Sequence, residues 1–283
     1  MSDISYIEKI PVKSRDFKNV KKLAEGGFAE LYTARNPKGQ TVVFRQLRKE
    51  FKFNRKRKSV FLTGIDIRRK CGDHPNIAKY LGHSTGSMFE LPFEIIEHVP
   101  GYTLKGMIFN KNKTVMSNKI DVLRQCACGL LQVHQSGYLH LDVKPENFLV
   151  NDAGGELAIK LTDFDLSLPI TKKKEGNNHG GSLLYLPPEF VSRNEVTVAT
   201  DIYAFGIIAY QLYTLRMPFD EYDVKKSASI RPLLFFTEHE KDTLEKGVME
   251  FISKCLNFVP ENRYRNGGEL FVALENLKRK ARS

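Results

Sequence analysis

Two hydrophobic periods divide this chain, and that division narrows its fold more than any other feature. From Val20 to about Leu47 the residues read as strands. A glycine-rich turn, EGGF, leads into AELYTAR, and a turn at Asn36-Pro-Lys-Gly39 leads into TVVFRQL. Pro and Gly between β-branched runs mark a hairpin. A basic segment, FKFNRKRKSVFLTGIDIRRK, leads into a helix, and further strands are expected at Ile77–Gly82 and Phe93–His98. From Leu104 the pattern turns helical, most clearly over Ile120–Ser136. A strand-and-turn region spans Tyr138–Asp165, and helices return from about Val198 to the end. A small strand-rich segment before a larger helical one predicts two unequal lobes, joined near Glu97–Gly101.

The 283 residues suffice for a sizeable core without disulfides or metals. At 41% hydrophobic and 27% charged residues, the composition is that of a soluble globular protein and excludes collagen, coiled coil and wholesale disorder. The longest strongly apolar stretch, Phe205–Tyr213, is far short of the ~20 residues of a membrane span. The N-terminal residues lack a signal-peptide core and the C-terminal ones a lipidation motif, so a soluble, cytoplasmic protein is expected. Cys71, Cys126, Cys128 and Cys255 are too few for a disulfide framework, and Cys126-x-Cys128 lacks the second ligand pair of a zinc site. The 44 Lys and Arg against 33 Asp and Glu leave a formal charge of +11, which favours acidic partners.

The strongest local signal is HLDVKPEN, His140–Asn147. Its residue types suit phosphoryl transfer. Asp142 can accept or orient a hydroxyl proton, Lys144 can neutralise charge on a transferred phosphate, and Asn147 offers an oxygen to Mg²⁺. Downstream, TDFD places Asp163 at a strand end, a second hard-oxygen ligand.

With these motifs in view, the chain resembles the eukaryotic-type protein kinases. EGGFAELY, VVFR, HPNI, IIEHV, HLDVKPEN, TDFD, GSLLYLPPE, DIYAFG and ENRYR occur in that family's order across about Phe17–Leu277. The resemblance implies an α+β, two-lobed fold. A 1–16 extension would precede a kinase-like domain at 17–283, with a small antiparallel-sheet lobe plus one helix at about 17–98 and a mostly helical lobe at about 99–283. It implies a serine/threonine protein kinase that transfers the γ-phosphate of ATP to a protein hydroxyl, using Mg²⁺ or Mn²⁺.

Roles follow residue by residue. Asp142 matches the catalytic-loop aspartate and Lys144 the phosphate-contacting lysine of the Ser/Thr branch; Asn147 and Asp163 match the metal ligands. Ala24, Gly26 and Gly27 lie in the phosphate-covering loop. Leu31, Val43 and Leu149 match the adenine sandwich, Ile96 the gatekeeper, and Glu97 and Val99 the hinge. Glu189 and Arg263 match a buried brace of the larger lobe, Asp201 the residue that holds the catalytic loop, and His140 and Phe164 two members of a stacked spine.

The departures cluster at the phosphate end. Arg45 stands where the family has its ATP-anchoring lysine, and arginine is longer, planar and forked. The lysine's usual partner, a glutamate on the first helix, falls at Thr63–Ile65, where nothing is acidic; Asp66 is nearby but expected on another helix face. An acidic residue added near Gly64 would test the pair. Two of the loop's three glycines are Ala24 and Ala29. Leu141 replaces an arginine that normally pairs with a phosphate, and Asp165 replaces a flexible glycine. These changes leave two readings: an active kinase with Arg45 as an atypical anchor, or a pseudokinase that binds nucleotide or partners without catalysis. The basic runs Lys52–Lys58 and Lys172–Lys174 are solvated faces or docking points for an acidic partner. With little aromatic interleaving, nucleic acid is not indicated.

Overall fold

The computed structural model describes residues 16–153, 156–171, 183–193, 195–219 and 236–280. Three strands open the chain: β1 (Lys18–Glu25), β2 (Ala29–Arg35) and β3 (Thr41–Leu47). The β2–β3 turn closes with Gly39 N–H donating to the Asn36 carbonyl at 2.8 Å, and Gly39 takes φ 77°, a left-handed angle that glycine adopts at little cost. The first helix, α1 (Arg55–Cys71), begins inside the basic run. Asn54 caps it by accepting from Arg57 N–H. Strands β4 (Tyr80–Ser84) and β5 (Phe93–Glu97) complete an antiparallel five-stranded sheet in the order β1-β2-β3-β5-β4. β4 starts later than expected, because Ile77 and Ala78 bond instead to Leu161 farther down the chain. All eight residues of β1, at the sheet's open edge, are exposed.

Beyond the sheet the architecture is helical, with short strand pairs between the helices. β6 (Tyr102–Thr103) leads into α2 (Leu104–Phe109), α3 (Lys113–Ser117) and α4 (Lys119–Gln135). β7 (Tyr138–Leu139), β8 (Phe148–Asn151), β9 (Ala158–Leu161) and β10 (Leu168–Pro169) follow. They form a three-stranded sheet, β6-β8-β9, and a β10–β7 pair. The chain continues as α5 (Pro188–Arg193), α6 (Val198–Thr214), α7 (Glu238–Thr243), α8 (Lys246–Cys255) and α9 (Gly267–Lys280). The fold is therefore α+β, with an antiparallel-sheet N-terminal region and a helical C-terminal region.

The largest core runs from Ile67 and Cys71 on α1 through α4 to α6, α8 and α9. α6 is its axis. Nearly every residue of Thr200–Tyr210 is buried, and Thr197 and Thr200 form a reciprocal cap at its start. Gly129 on α4 admits the Asn76 carbonyl, which would lie 2.6 Å from an added Cβ, so α4 meets the backbone of the turn before β4. All four cysteines are free thiols, and burial pushes Cys71 up to about 11. No described helix is long and apolar enough to cross a membrane.

Candidate active site

The catalytic-loop residues owe their placement to a carboxylate from α6. Asp201 is fully buried; it accepts from His140 N–H and Leu141 N–H at 2.8 Å each and meets His134 Nε2 at 3.0 Å. That grip holds Leu141 at φ 62°, a left-handed angle costly for a side chain of its kind. The loop is thereby turned so that the next residues project together. Lys144 Nζ lies 2.7 Å from Asp142 Oδ2. Asn147 Nδ2 donates to the Asp142 carbonyl at 2.7 Å and to its Oδ2 at 2.8 Å. Both amide hydrogens of Asn147 are thus spent on Asp142, which leaves the amide oxygen as the acceptor that could meet a metal.

Asp163 also lies in the left-handed region, at φ 62°, with its carboxylate 40% exposed among otherwise buried neighbours. Across from it Arg45, on β3, is 4% exposed. Its Nη2 stands 3.5 Å from Asp163 Oδ1 and 2.9 Å from Asp165 Oδ2, and its Nη1 donates to Glu94 Oε2 at 2.5 Å. Burial works against the guanidinium's charge, but Asp165, Glu94 and Asp163 together outweigh it and raise its pKa. Burial likewise pushes the Asp165 carboxyl well above the usual carboxylate range, against the pull of Arg45. Asp165 Oδ1 has no hydrogen-bond partner among the described residues.

Glu94 was not foreseen. It is fully buried on β5, directly opposite Arg45 in the β3–β5 register. Its second oxygen, Oε1, stands 2.8 Å from Nε of Arg68, an ion pair without good hydrogen-bond alignment. Arg68 lies on α1, is 1% exposed, donates to the Ala78 carbonyl at 3.1 Å and reaches Thr162 Oγ1 at 3.2 Å. Its guanidinium also lies over the Phe164 ring at 4.7 Å, and Phe164 meets His140 edge-on at 5.0 Å. Two signals pointed here. Glu94 is an acid set between the apolar residues Phe93 and Ile95 of FEIIE, and Arg68 follows Phe61 and Ile65 at helical spacing on the buried face of α1.

Gly64 has no room for the acidic residue that would test the usual pair. A Cβ there would lie 2.7 Å from the Phe164 carbonyl oxygen and 3.0 Å from the Asp165 Cα. α1 therefore packs inward, glycine against backbone, and no helix carboxylate fits at that level. Asp66 faces outward, ion-paired with Arg69 and Lys70.

The remaining sequence candidates are more dispersed. Val43 and Ile96 are opposite partners of β3 and β5 and both are buried. Half-buried Leu31 pairs with Arg45 on the other side of β3. Leu149 is half-buried on β8, in a separate sheet, beside Lys160 of β9. Lys160 links that sheet to the main one by donating to Glu97 Oε1 at 2.7 Å. Val99 is half-buried just beyond β5. Ala24, Gly26 and Gly27 are exposed, and Gly26 N–H closes the turn on the Ala29 carbonyl at 2.8 Å. An added Cβ at Gly27 would meet nothing within 4 Å. Lys172–Lys174 lies outside the described residues.

The donor set suits a magnesium nucleotide. Mg²⁺ takes one or two protein oxygens and completes its shell with phosphate and water. Asn147 and Asp163 provide two oxygens of that kind, and Arg45 supplies a fixed positive charge beside Asp163.

Comparison with known proteins agrees with this arrangement. The protein kinase domain model matches residues 17–269. The probable serine/threonine-protein kinase mkcD of Dictyostelium discoideum is 32% identical over 257 residues, which is 87% of this chain and 38% of that protein. A probable serine/threonine-protein kinase of Clostridium acetobutylicum is 31% identical over 207 residues, 69% of this chain and 30% of its own length. An Aurora kinase of Saccharomyces cerevisiae is 28% identical over 257 residues, 89% of this chain and 67% of that protein. The chain thus spans only about a third of the first two relatives.

Proposed function

Because the chain belongs to the protein kinase family, we propose that it is a serine/threonine protein kinase, transferring the γ-phosphate of ATP to a protein hydroxyl with Mg²⁺ or Mn²⁺. The observation that carries this reading is the convergence of Lys144 and Asn147 on Asp142, each with a side-chain contact of 2.8 Å or less to it. In this reading the described chain is one kinase-like domain, with its lobes meeting at about residues 98–99. Its first sixteen residues lie almost wholly outside the described region.

Asp142 accepts or orients the proton of the incoming hydroxyl. Lys144, held by Asp142, carries positive charge toward the transferred group. Asn147 and Asp163 would hold the metal, whose charge offsets that of the phosphate oxygens when it is bound. Arg45 anchors the phosphates of ATP from the sheet side, and its unused N–H groups are the donors. Leu31, Val43 and Leu149 enclose adenine, Ile96 limits the depth of the pocket, and Glu97 and Val99 supply hinge backbone. Ala24, Gly26 and Gly27 cover the phosphates. An acidic protein substrate or partner suits the +11 charge.

One observation favours a second reading. Both terminal nitrogens of Arg45 already bond carboxylates, which supports a pseudokinase that binds nucleotide or partners without transfer. Incubation with γ-labelled ATP, Mg²⁺ or Mn²⁺, and basic and acidic protein substrates separates the two. Transfer that vanishes in Asp142→Asn supports the kinase. No transfer above that variant, from folded protein, supports the pseudokinase.

A further inference from the structure

The anchoring arginine is held by its own sheet. Arg45 and Glu94 face each other across β3 and β5, so their pairing is built by strand register alone. The 2.5 Å contact uses one oxygen of Glu94, and Arg68 takes up the other. The polarity at α1 is therefore inverted. Where a helix carboxylate would meet a sheet cation, the sheet holds both partners and the helix brings a second cation. Gly64 shows that the usual place has no room for a side chain. Arg68 also balances the extra acid of this site: two arginines face Glu94, Asp163 and Asp165.

We propose that Glu94 is the positioning residue that aims Arg45 at the nucleotide phosphates, with Arg68 as its counter-charge from α1. This rests on Arg45 as the phosphate anchor. Without Glu94, the guanidinium is free to swing fully onto Asp165 and Asp163, where it blocks the metal side instead of serving the phosphates. Arginine cannot escape by losing its proton, so direction is the only property of the anchor that its neighbours can adjust.

The test compares ligands with and without phosphates on the full chain. Binding of Mg²⁺·ADP is measured by calorimetry and binding of adenosine by competition. The variants are Arg45→Met, the charge-balanced double variant Glu94→Met with Arg68→Met, and all three changes combined. The double variant removes one charge of each sign and fills the space with apolar groups, which buried ion pairs often tolerate. Glu94→Asp is measured alongside; it keeps every charge and shortens only the reach.

The expected result is a loss of about tenfold or more in ADP affinity for Arg45→Met and for the double variant, with adenosine unchanged within about twofold. Adding the double change to Arg45→Met should then cost nothing further, because the two act through one guanidinium. Glu94→Asp should lose ADP affinity in the same selective way and carries the test if the double variant does not fold. Equal weakening of ADP and adenosine would mean a structural role and overturn the proposal. Full ADP affinity without Glu94, but not without Arg45, would overturn it while sparing the anchor. Full ADP affinity in Arg45→Met would remove the anchor itself, and the proposal with it.

Discussion

Two buried ion clusters brace this molecule, and they are finished to different degrees. Glu189 and Arg263 meet bidentately at 2.7 and 2.8 Å, and Arg263 also donates to the carbonyls of Ala199 and Asn257. Every strong direction of that guanidinium is spoken for. The cluster around Arg45 is different. It places two arginines among three carboxylates, leaves Asp165 Oδ1 without a partner and borders the half-exposed Asp163. Closed bonding belongs to the brace, and open bonding lies where the proposed function would seat the phosphates.

The largest expected effect tests the closed cluster. Glu189→Gln leaves Arg263 buried without its counter-charge and should cost about 3–5 kcal/mol, read as a lower denaturant midpoint. A loss below about 1 kcal/mol would erase the distinction between the clusters. Next is Gly64→Glu, the change that restores the family's residue type on α1. It drives a side chain into the Phe164 carbonyl and should destabilise by about 1–3 kcal/mol without tightening ADP binding. Tighter binding of ADP would show that α1 can retreat and rebuild the ordinary pair.

How much of this was legible in the sequence follows the same division. Glu189, Arg263 and Asp201 could be assigned because both partners of each contact stand in recognisable motifs. The strands Ala29–Arg35 and Thr41–Leu47 were legible from β-branched runs on either side of a Pro- and Gly-containing turn. The Arg45 partner was not. The family resemblance implies a carboxylate on the helix, whereas Glu94 joins Arg45 only through strand register, which no local motif encodes. The absence of a glutamate on α1 was visible, but its cause was not: Gly64 is required by the approach of Phe164, a contact across a hundred residues of chain. Phe164 and His140 were legible as a stack, but a cation as the next layer, Arg68, was not.

The seam between the clusters has its own pH signature. His140 bonds through both ring nitrogens, Nε2 to the Thr162 carbonyl and Nδ1 to Asp142 N–H, which describes a neutral ring. Burial lowers its pKa despite the nearby Asp201, Asp142 and Asp163. As pH falls through the ordinary histidine value, the unfolded chain takes up a proton that the native ring refuses. Stability is then lost on acidification, at no more than about 1.4 kcal/mol per pH unit. His140→Phe should flatten the stability profile over that window, and an unchanged slope would assign it elsewhere. The smallest effect is expected for Asp165→Asn. It keeps an acceptor for Arg45 and removes a buried acid with one partnerless oxygen, so stability should stay within about 1 kcal/mol of the parent at pH 8. A loss like that of Glu189→Gln would show that the open cluster is as tightly determined as the closed one.

The bare outer strand has a consequence for how copies of this protein meet. Among the described residues, the outer side of Lys18–Glu25 has no neighbouring strand, the kind of rail on which a second molecule can extend a sheet. Lys18, Lys21 and Lys22 sit along that rail. Two copies approaching edge to edge would set these rows against one another, so the positive charge discourages self-templating. High salt weakens that protection, because screening shortens the reach of the repulsion to a few ångströms.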